Sequence, residues 1–218
     1  MDRHHIRARI EATGIVPIIR TSSTERAARA AHAVLASGID VVEITMNVPD
    51  ALSLLRRLRS EVAANVLLGA GTVLDAATAR ACIDAGAQFI VAPGLDVDTV
   101  QAAHALDRPC IPGALTPTEV IAAWRAGADL VKIFPCSAVG GANYLRQLRG
   151  PLPDVKLLAT GGVDLTTAAD YIEAGAAALG IGASVLNLGA LERDGTAAVA
   201  ERCRQLMELV ATARRVQS

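Results

Sequence analysis

A repeated glycine signature constrains the fold of this sequence more than any other feature. The signature ends four alanine-rich stretches with helical spacing, and each then runs directly into a short apolar segment: Ser37-Gly38-Ile39-Asp40, Ala85-Gly86-Ala87-Gln88, Ala126-Gly127-Ala128-Asp129 and Ala174-Gly175-Ala176-Ala177. The four glycines are 48, 41 and 48 residues apart. Because glycine adopts the left-handed conformation that ends many helices, each signature predicts a helix C-terminus followed by a strand.

Eight short apolar segments alternate with the longer stretches, at residues 14–20, 40–46, 65–73, 89–95, 109–115, 130–135, 155–162 and 177–184. Segments such as 40–46 and 89–95 show little strict alternation of polar and apolar residues, which is typical of parallel strands buried on both faces. Two strand–helix units per repeat, used four times, predict an α/β fold, the (β/α)8 TIM barrel. A doubly wound open sheet is the structural alternative, but its usual G-x-G-x-x-G loop does not follow the first segment.

Helix-start signals define several of the intervening helices. Thr24 as N-cap predicts a helix over residues 24–37, and Asp75 begins one over residues 75–85. Pro117 suits a first helical position. Asp164 or Thr166 begins a helix over residues 167–174, and residues 196–216 form a long amphipathic helix. No linker interrupts the chain, so we expect one barrel domain over residues 1–218 with an additional C-terminal helix.

The composition restricts the core, the compartment and the partners. Hydrophobic residues make up 52% and aromatic residues 2% of the chain, so the core must consist of Ala, Val, Leu and Ile. With 21 basic and 22 acidic side chains, the net charge of -1 gives no basis for a nucleic-acid partner. We expect no membrane span and no secretory signal, because long uncharged apolar stretches are absent and His4 and His5 lie at a polar free end. Four widely spaced cysteines predict free thiols in the reducing cytoplasm: Cys82, Cys110, Cys136 and Cys203.

Lys132 is the strongest candidate for a catalytic residue. It lies within the apolar run Leu130-Val131-Lys132-Ile133-Phe134-Pro135, near the end where barrel enzymes place their catalytic side chains. Burial disfavours the ammonium form, so it lowers the pKa and frees a lone pair for attack on a carbonyl. The alternative is a lysine whose head reaches solvent or forms a structural ion pair.

Glu43 interrupts a second apolar strand, Val41-Val42-Glu43-Ile44. A carboxyl group in a central strand needs a partner or a chemical task. Beside Lys132 it would shuttle the protons that imine formation requires, whereas the alternative is a buried ion pair that only stabilises the barrel. Together the two residues predict a Schiff-base aldolase that acts on a pyruvate-like carbonyl.

Two glycine-containing turns, Thr160-Gly161-Gly162 and Gly182-Ala183-Ser184, end the last two apolar segments. In barrels the corresponding loops commonly bind phosphate through backbone N–H groups, although ordinary tight turns have the same composition. Other polar side chains at strand ends are Arg20, Asn47 and Thr72. We expect no metal and no cofactor, since none of the four histidines (His4, His5, His32 and His104) falls at a strand end.

The order of these motifs resembles the 2-keto-3-deoxy-6-phosphogluconate (KDPG) aldolase and 4-hydroxy-2-oxoglutarate (KHG) aldolase family. The resemblance covers about residues 10–188 and rests on the following runs: Val16-Pro17-Ile18-Ile19-Arg20, Val42-Glu43-Ile44-Thr45, Gly69-Ala70-Gly71-Thr72-Val73, residues 86–94, Pro112-Gly113, Val131-Lys132-Ile133-Phe134-Pro135 and Ala159-Thr160-Gly161-Gly162-Val163.

The resemblance implies a role for each candidate residue. Lys132 is then the Schiff-base lysine and Glu43 the general acid and base. Substrate-binding residues are Arg20, Asn47, Thr72, Pro93, Phe134 and Thr160, and phosphate-binding residues are Gly161, Gly162, Gly182, Ala183 and Ser184. It also implies a phosphorylated 2-keto acid as substrate, a homotrimer, and products that are pyruvate and glyceraldehyde 3-phosphate.

Two positions disagree about the substrate. Many phosphogluconate-type members carry Arg where this chain has Asn47, and galactonate-type members resemble its Asn47-Val48-Pro49. Those galactonate-type members, however, tend to have Val where this chain has Thr160. The alternative substrate assignments are 2-keto-3-deoxy-6-phosphogalactonate aldolase and 4-hydroxy-2-oxoglutarate aldolase. Two further alternatives are a metal-dependent barrel aldolase or isomerase and a catalytically idle trimeric scaffold.

Overall fold

A closed ring of parallel strands forms the centre of the protein, as seen in a computed structural model that describes residues 1–187 and 191–216, without the side chains of residues 192–194 and 216. The end of the chain at residues 217 and 218 lies outside this description. The predicted α/β barrel is confirmed, and the strands are β1 (Ile15–Ile19), β2 (Val41–Thr45), β3 (Leu67–Gly71), β4 (Phe89–Val91), β5 (Cys110–Ile111), β6 (Gly113–Ala114), β7 (Val131–Ile133), β8 (Leu157–Thr160) and β9 (Ala178–Ile181).

Eight predicted segments give nine strands because the fifth segment is divided at Pro112. β5 pairs with β4 and β6 pairs with β7, in the order β5-β4-β3-β2-β1-β9-β8-β7-β6. Proline has no N–H to donate to a ladder, so regular pairing stops there. The Pro112 carbonyl still accepts a hydrogen bond from Lys132 N at 2.9 Å, which carries the barrel wall across the break.

Helices surround the barrel and alternate with the strands. They are α1 (Arg3–Thr13), α2 (Thr24–Leu35), α3 (Ala51–Glu61), α4 (Ala76–Asp84), α5 (Val97–Ala105), α6 (Pro117–Arg125), α7 (Gly141–Arg149), α8 (Ala168–Glu173), α9 (Ala183–Leu186) and α10 (Leu191–Val216), with a 3-10 turn at Cys136–Val139. The backbone of α10 is non-helical at Gly195, so its regular part begins where the sequence predicts.

The predicted helix ends are confirmed at most positions. The four repeat glycines have φ between 93° and 104°, the left-handed values expected at a helix C-terminus. Asp75 caps α4, and Pro117 begins α6 behind a Thr116–Glu119 capping box. Two N-caps were predicted wrongly. Ser23 rather than Thr24 caps α2, and the N-cap position of α8 is Thr167 rather than Asp164 or Thr166.

The N-terminus was wrongly predicted to be a free end. Asp2 caps α1 by accepting a hydrogen bond from His5 N at 2.8 Å, and Ile6 and Ile10 insert into the amino end of the barrel. There they pack with inward-facing strand residues such as Phe89. At the far end of the chain, Arg214 donates hydrogen bonds to the carbonyls of Glu11, Ala12 and Ala177, which holds the end of α10 against α1.

Most buried side chains lie between the strands and the surrounding helices, and α10 packs on α2 and α8. This larger cluster contains mainly Ala, Val, Leu and Ile, as the low aromatic content predicts. Across the described ranges, none of the helices combines the length and the apolar character that crossing a membrane requires. The carboxyl ends of the strands are left free to form a site.

Candidate active site

A cavity of about 270 Å³ lies at the carboxyl end of the barrel. Its lining comes from β1, β7, β8 and β9 and the loops that follow them: Ile18, Arg20, Lys132, Phe134, Thr160, Gly161, Gly162, Val163, Gly180, Gly182, Ala183 and Ser184. Nine of the thirteen site residues that the sequence predicts therefore line this pocket.

Lys132 lies in the middle of β7 and is 4% exposed. Its ammonium nitrogen lies 5.1 Å from the centre of the Phe134 ring. Burial lowers the pKa of Lys132; the negative charge of Glu43 opposes this shift, and the positive charge of Arg20 adds to it. Desolvation therefore favours the neutral, nucleophilic amine.

Glu43 lies in the middle of β2 and is 1% exposed. Its Oε1 atom is buried without a hydrogen-bond partner among the described residues. Burial raises the pKa of Glu43, against the positive charges of Lys132 and Arg20. The opposite shifts bring the two pKa values closer together, which makes proton exchange with a bound reactant less costly.

Gly71 creates the space that the Glu43 side chain occupies. The two residues lie on the paired strands β3 and β2, and a Cβ at Gly71 would stand 1.7 Å from Glu43 Oε1. Glycine at this position is therefore required by the position of the carboxyl group.

Thr160 ends β8 and is 6% exposed, with an Oγ1 atom that has no hydrogen-bond partner among the described residues. Gly180, opposite it on β9, leaves room for this hydroxyl, because a Cβ there would lie 2.2 Å from Oγ1. A buried hydroxyl that lines a cavity and lacks a partner is available to a ligand.

Arg20 and Thr72 meet at the mouth of the pocket. The Arg20 guanidinium donates to Thr72 Oγ1 at 3.3 Å, so Thr72 is brought to the site although it does not line the cavity itself. The φ of Thr72 is 59°, a left-handed value that a β-branched residue rarely adopts. Such backbone strain is concentrated at functional sites.

The two glycine-containing turns also meet at the pocket. Gly161 and Gly162 have φ of 95° and 74°, and Gly182, Ala183 and Ser184 face them across the cavity lining. The Ser184 hydroxyl donates to the Val163 carbonyl at 2.7 Å. Its proton is therefore engaged inside the protein, which leaves backbone N–H groups as the donors at this end of the pocket.

Four predicted residues lie outside this lining: Glu43 and Thr72, described above, and also Asn47 and Pro93. Asn47 is exposed in the turn after β2, and Pro93 lines a neighbouring cavity of about 320 Å³ that shares Phe134 with the first. The lining residues that sequence reasoning missed are Ile18, Val163 and Gly180. Ile18 lies two residues before Arg20, and Val163 directly follows Gly162. Their closeness to predicted site residues was therefore the signal that could have identified them.

The histidines lie away from the pocket lining. His32 contacts Glu61 and His104 contacts the buried Asp129, each at 3.0 Å, while His4 and His5 are exposed. Within the part of the chain that the structure describes, no three His, Cys, Asp or Glu side chains form a group able to hold a metal ion.

The fold and the site together define a (β/α)8 barrel with a buried lysine and a buried glutamate at the carboxyl end of its strands. The family model for KDPG and KHG aldolases matches residues 6–202, and the chain belongs to this family. The resemblance found in the sequence is confirmed by this match.

Curated relatives include aldolases that are named for different substrates. A 2-dehydro-3-deoxy-phosphogluconate aldolase of Pseudomonas aeruginosa is 34% identical over 201 residues, which are 92% of this chain and 91% of the relative. A 2-dehydro-3-deoxy-6-phosphogalactonate aldolase of Escherichia coli K12 is 34% identical over 188 residues, 85% of this chain and 91% of the relative.

Solved structures share the same fold. The KDPG aldolase of Legionella pneumophila, with pyruvate captured as a covalent carbinolamine, superposes with a TM-score of 0.82 at 29% identity, over 92% of this chain and 97% of the other. A cube-shaped cage designed by fusing symmetric oligomeric domains matches with a TM-score of 0.85 at 29% identity, over 94% of this chain and 74% of the cage chain.

Proposed function

We propose that this protein is a Schiff-base aldolase that cleaves 2-keto-3-deoxy-6-phosphogluconate, or a close stereoisomer, to pyruvate and glyceraldehyde 3-phosphate. The observation that carries the proposal is the buried Lys132 amine, which lines a pocket with two glycine-containing turns and interacts electrostatically with the buried Glu43 carboxyl. The phosphogluconate and phosphogalactonate aldolases among the relatives support the substrate class.

In the first half of the reaction, the neutral Lys132 amine attacks C2 of the keto acid. Glu43 protonates the carbinolamine hydroxyl, which leaves as water, and a cationic imine remains. The raised pKa of Glu43 favours the protonated carboxyl that this step needs, and the lowered pKa of Lys132 favours the free amine.

In the second half, Glu43, directly or through one water, takes the proton of the C4 hydroxyl. The C4–O electrons form the aldehyde of glyceraldehyde 3-phosphate, and the C3–C4 electrons move into the iminium nitrogen as an enamine. Protonation of C3 and hydrolysis by one water release pyruvate and restore the Lys132 amine.

The remaining side chains orient the substrate. The unpartnered Thr160 hydroxyl and the Thr72 hydroxyl, held by Arg20, bind the carboxylate and hydroxyl groups. Phe134 covers the imine nitrogen. Backbone N–H groups of the turns at Gly161-Gly162 and Gly182-Ala183-Ser184 bind the phosphate, at the end of the cavity they line.

The phosphogluconate is the first candidate because Thr160 presents a free hydroxyl inside the pocket. The phosphogalactonate is the second candidate, since the chain carries Asn47-Val48-Pro49 and is equally similar to a galactonate-type relative, although Asn47 is exposed. The kcat/KM values for the two C4 epimers decide between them; equal values would show that neither position controls the stereochemistry.

The assembly is a homotrimer in this proposal. Leu74 is 63% exposed just before α4, and Val97 is exposed at the start of α5, which packs on α4. The match to symmetric oligomeric domains in a designed cage supports an oligomer. Sedimentation equilibrium tests the trimer, and a monomer mass contradicts it. The four buried free thiols fit a reducing cytoplasm.

Two substitutions of the nucleophile test the activity. Lys132→Ala removes the amine, and Lys132→Arg keeps a cation that stays protonated, so both are expected to abolish pyruvate release. Lys156→Ala, at an exposed lysine that contacts Glu11 at 3.7 Å, is the matched control and should leave turnover intact. Appreciable turnover by Lys132→Ala would refute the covalent mechanism.

A further inference from the structure

Three consecutive carbonyl groups in the loop after β8 are each engaged by a different side-chain hydroxyl. The Tyr171 hydroxyl donates to Gly161 O at 3.1 Å, the Thr167 hydroxyl to Gly162 O at 2.9 Å, and the Ser184 hydroxyl to Val163 O at 2.7 Å. These hydroxyls come from α8, the residue before it, and α9. A loop held at every carbonyl has little freedom to rotate its peptide planes.

The contacts of Tyr171 and Thr167 lie on the side of the loop that faces away from Lys132. Tyr171 and Thr167 line a separate cavity of about 410 Å³ that does not include Lys132, whereas Gly162 lines both this cavity and the Lys132 pocket. The carbonyls of Gly161 and Gly162 are therefore drawn away from Lys132. In a trans peptide the C=O and the following N–H point in opposite directions. The N–H groups of Gly162 and Val163 therefore lie opposite these two hydroxyls, and both residues line the Lys132 pocket.

Tyr171 is suited to hold this geometry. It is 3% exposed, and burial raises its pKa to about 12, so the hydroxyl keeps its proton at neutral pH. The backbone leaves little space around it, because a Cβ at Gly141 or Gly162 would lie 3.1 or 3.4 Å from the hydroxyl oxygen. Thr167 is nearer to Gly162 O than to the Asp164 carboxylate, which lies 3.2 Å away.

We infer that Tyr171 is a positioning residue for phosphate recognition, which acts by fixing the peptide groups whose N–H atoms bind the substrate phosphate. Thr167 contributes in the same way at the next peptide group. The inference rests on the proposed function for the identity of the phosphorylated substrate. Nothing in it requires Tyr171 to touch the substrate.

Tyr171→Phe tests the inference, since it removes one hydroxyl and keeps the buried ring. Its matched control is Tyr144→Phe, because the Tyr144 hydroxyl also donates to a backbone carbonyl, that of Leu115, away from the loop. Loss of one positioning hydrogen bond is expected to raise KM for the phosphorylated substrate about fivefold at unchanged kcat. The KM for the same keto acid without phosphate should stay constant, and Tyr144→Phe should leave the ratio of the two KM values unchanged.

A direct titration makes the test independent of catalysis. The affinity of the full-length protein for inorganic phosphate, measured by calorimetry, should fall about fivefold in Tyr171→Phe and in Thr167→Val, and stay constant in Tyr144→Phe. Unchanged phosphate affinity in Tyr171→Phe, or an equal loss for both substrates, would overturn the inference. If the wild-type protein cleaves neither substrate, the proposed function fails, and the phosphate titration still decides the role of Tyr171.

Discussion

Gly71→Ala adds a single methyl group beside the buried Glu43 carboxyl. The new Cβ would stand 1.7 Å from Oε1, 2.4 Å from Cδ and 2.8 Å from Cγ of Glu43, whereas ordinary contacts begin at 3.4 Å. Oε1 therefore has to move by about 1.7 Å. The side chain is 1% exposed, so it cannot swing into solvent and must shift within the core.

The expected loss of activity follows from that displacement. Misplacing a catalytic group by about 1 Å costs roughly 10²-fold in rate, so kcat should fall at least 10²-fold. Overpacking a core in this way also costs about 1–3 kcal/mol of the free energy of unfolding. Pyruvate release, followed with a coupled dehydrogenase, gives kcat, and thermal unfolding gives the stability.

Gly69→Ala is the matched control on the same strand. Gly69 is the register partner of Glu43, but the atoms nearest to its added Cβ belong to the Phe89 ring, at 2.1 Å, and not to the Glu43 carboxyl. We expect a comparable loss of stability with a much smaller loss of kcat at a temperature where both variants are folded. Equal loss of kcat in the two variants would refute the claim that Gly71 acts by positioning Glu43.

Three further predictions concern the same pocket. Glu43→Gln should slow turnover by roughly 10²–10⁴-fold without unfolding the protein, and an unchanged rate would make Glu43 a structural residue. The negative charge of Glu43 raises the pKa of Lys132, so the pKa of Lys132 should fall in Glu43→Gln. The acidic limb of pyruvate-imine formation, measured by borohydride trapping across pH, should therefore move to lower pH. A shift to higher pH contradicts the coupling between the two residues. Thr72→Gly should raise the free energy of unfolding by about 1 kcal/mol, because glycine adopts the positive φ of this position without strain, while kcat/KM falls. If the variant lost stability as well as activity, the backbone strain would not be stored at Thr72.

The barrel could be predicted from the sequence because its signals are local and repeated. The positive φ of the repeat glycines and the position of Pro117 at the start of α6 depend on a few neighbouring residues, and both were found where the sequence predicts them. The division of the fifth strand at Pro112 and the insertion of Ile6 into the barrel were missed. Asp2 and the spacing of Ile6 and Ile10 were the signals for α1, but charged neighbours suggested a free end.

In the candidate site, too, some features could be predicted from the sequence and others could not. Lys132 and Glu43 could be recognised because an ionisable residue inside an apolar strand is conspicuous in the sequence. The contact between Gly71 and Glu43, and the hydroxyl of Tyr171 on Gly161, join residues that are distant along the chain, so only the folded structure shows them. The exposed position of Asn47 likewise depends on the turn after β2.

The most direct test of the central claim is covalent trapping of pyruvate. Incubation of the protein with pyruvate and borohydride, followed by digestion and mass spectrometry, should show a reduced pyruvyl adduct on the peptide that contains Lys132. The Lys132→Ala variant should show none, and Lys156→Ala should be labelled as fully as the wild type. A folded protein that acquires no adduct would contradict the Schiff-base mechanism, and the barrel would then be a metal-dependent enzyme or an idle scaffold.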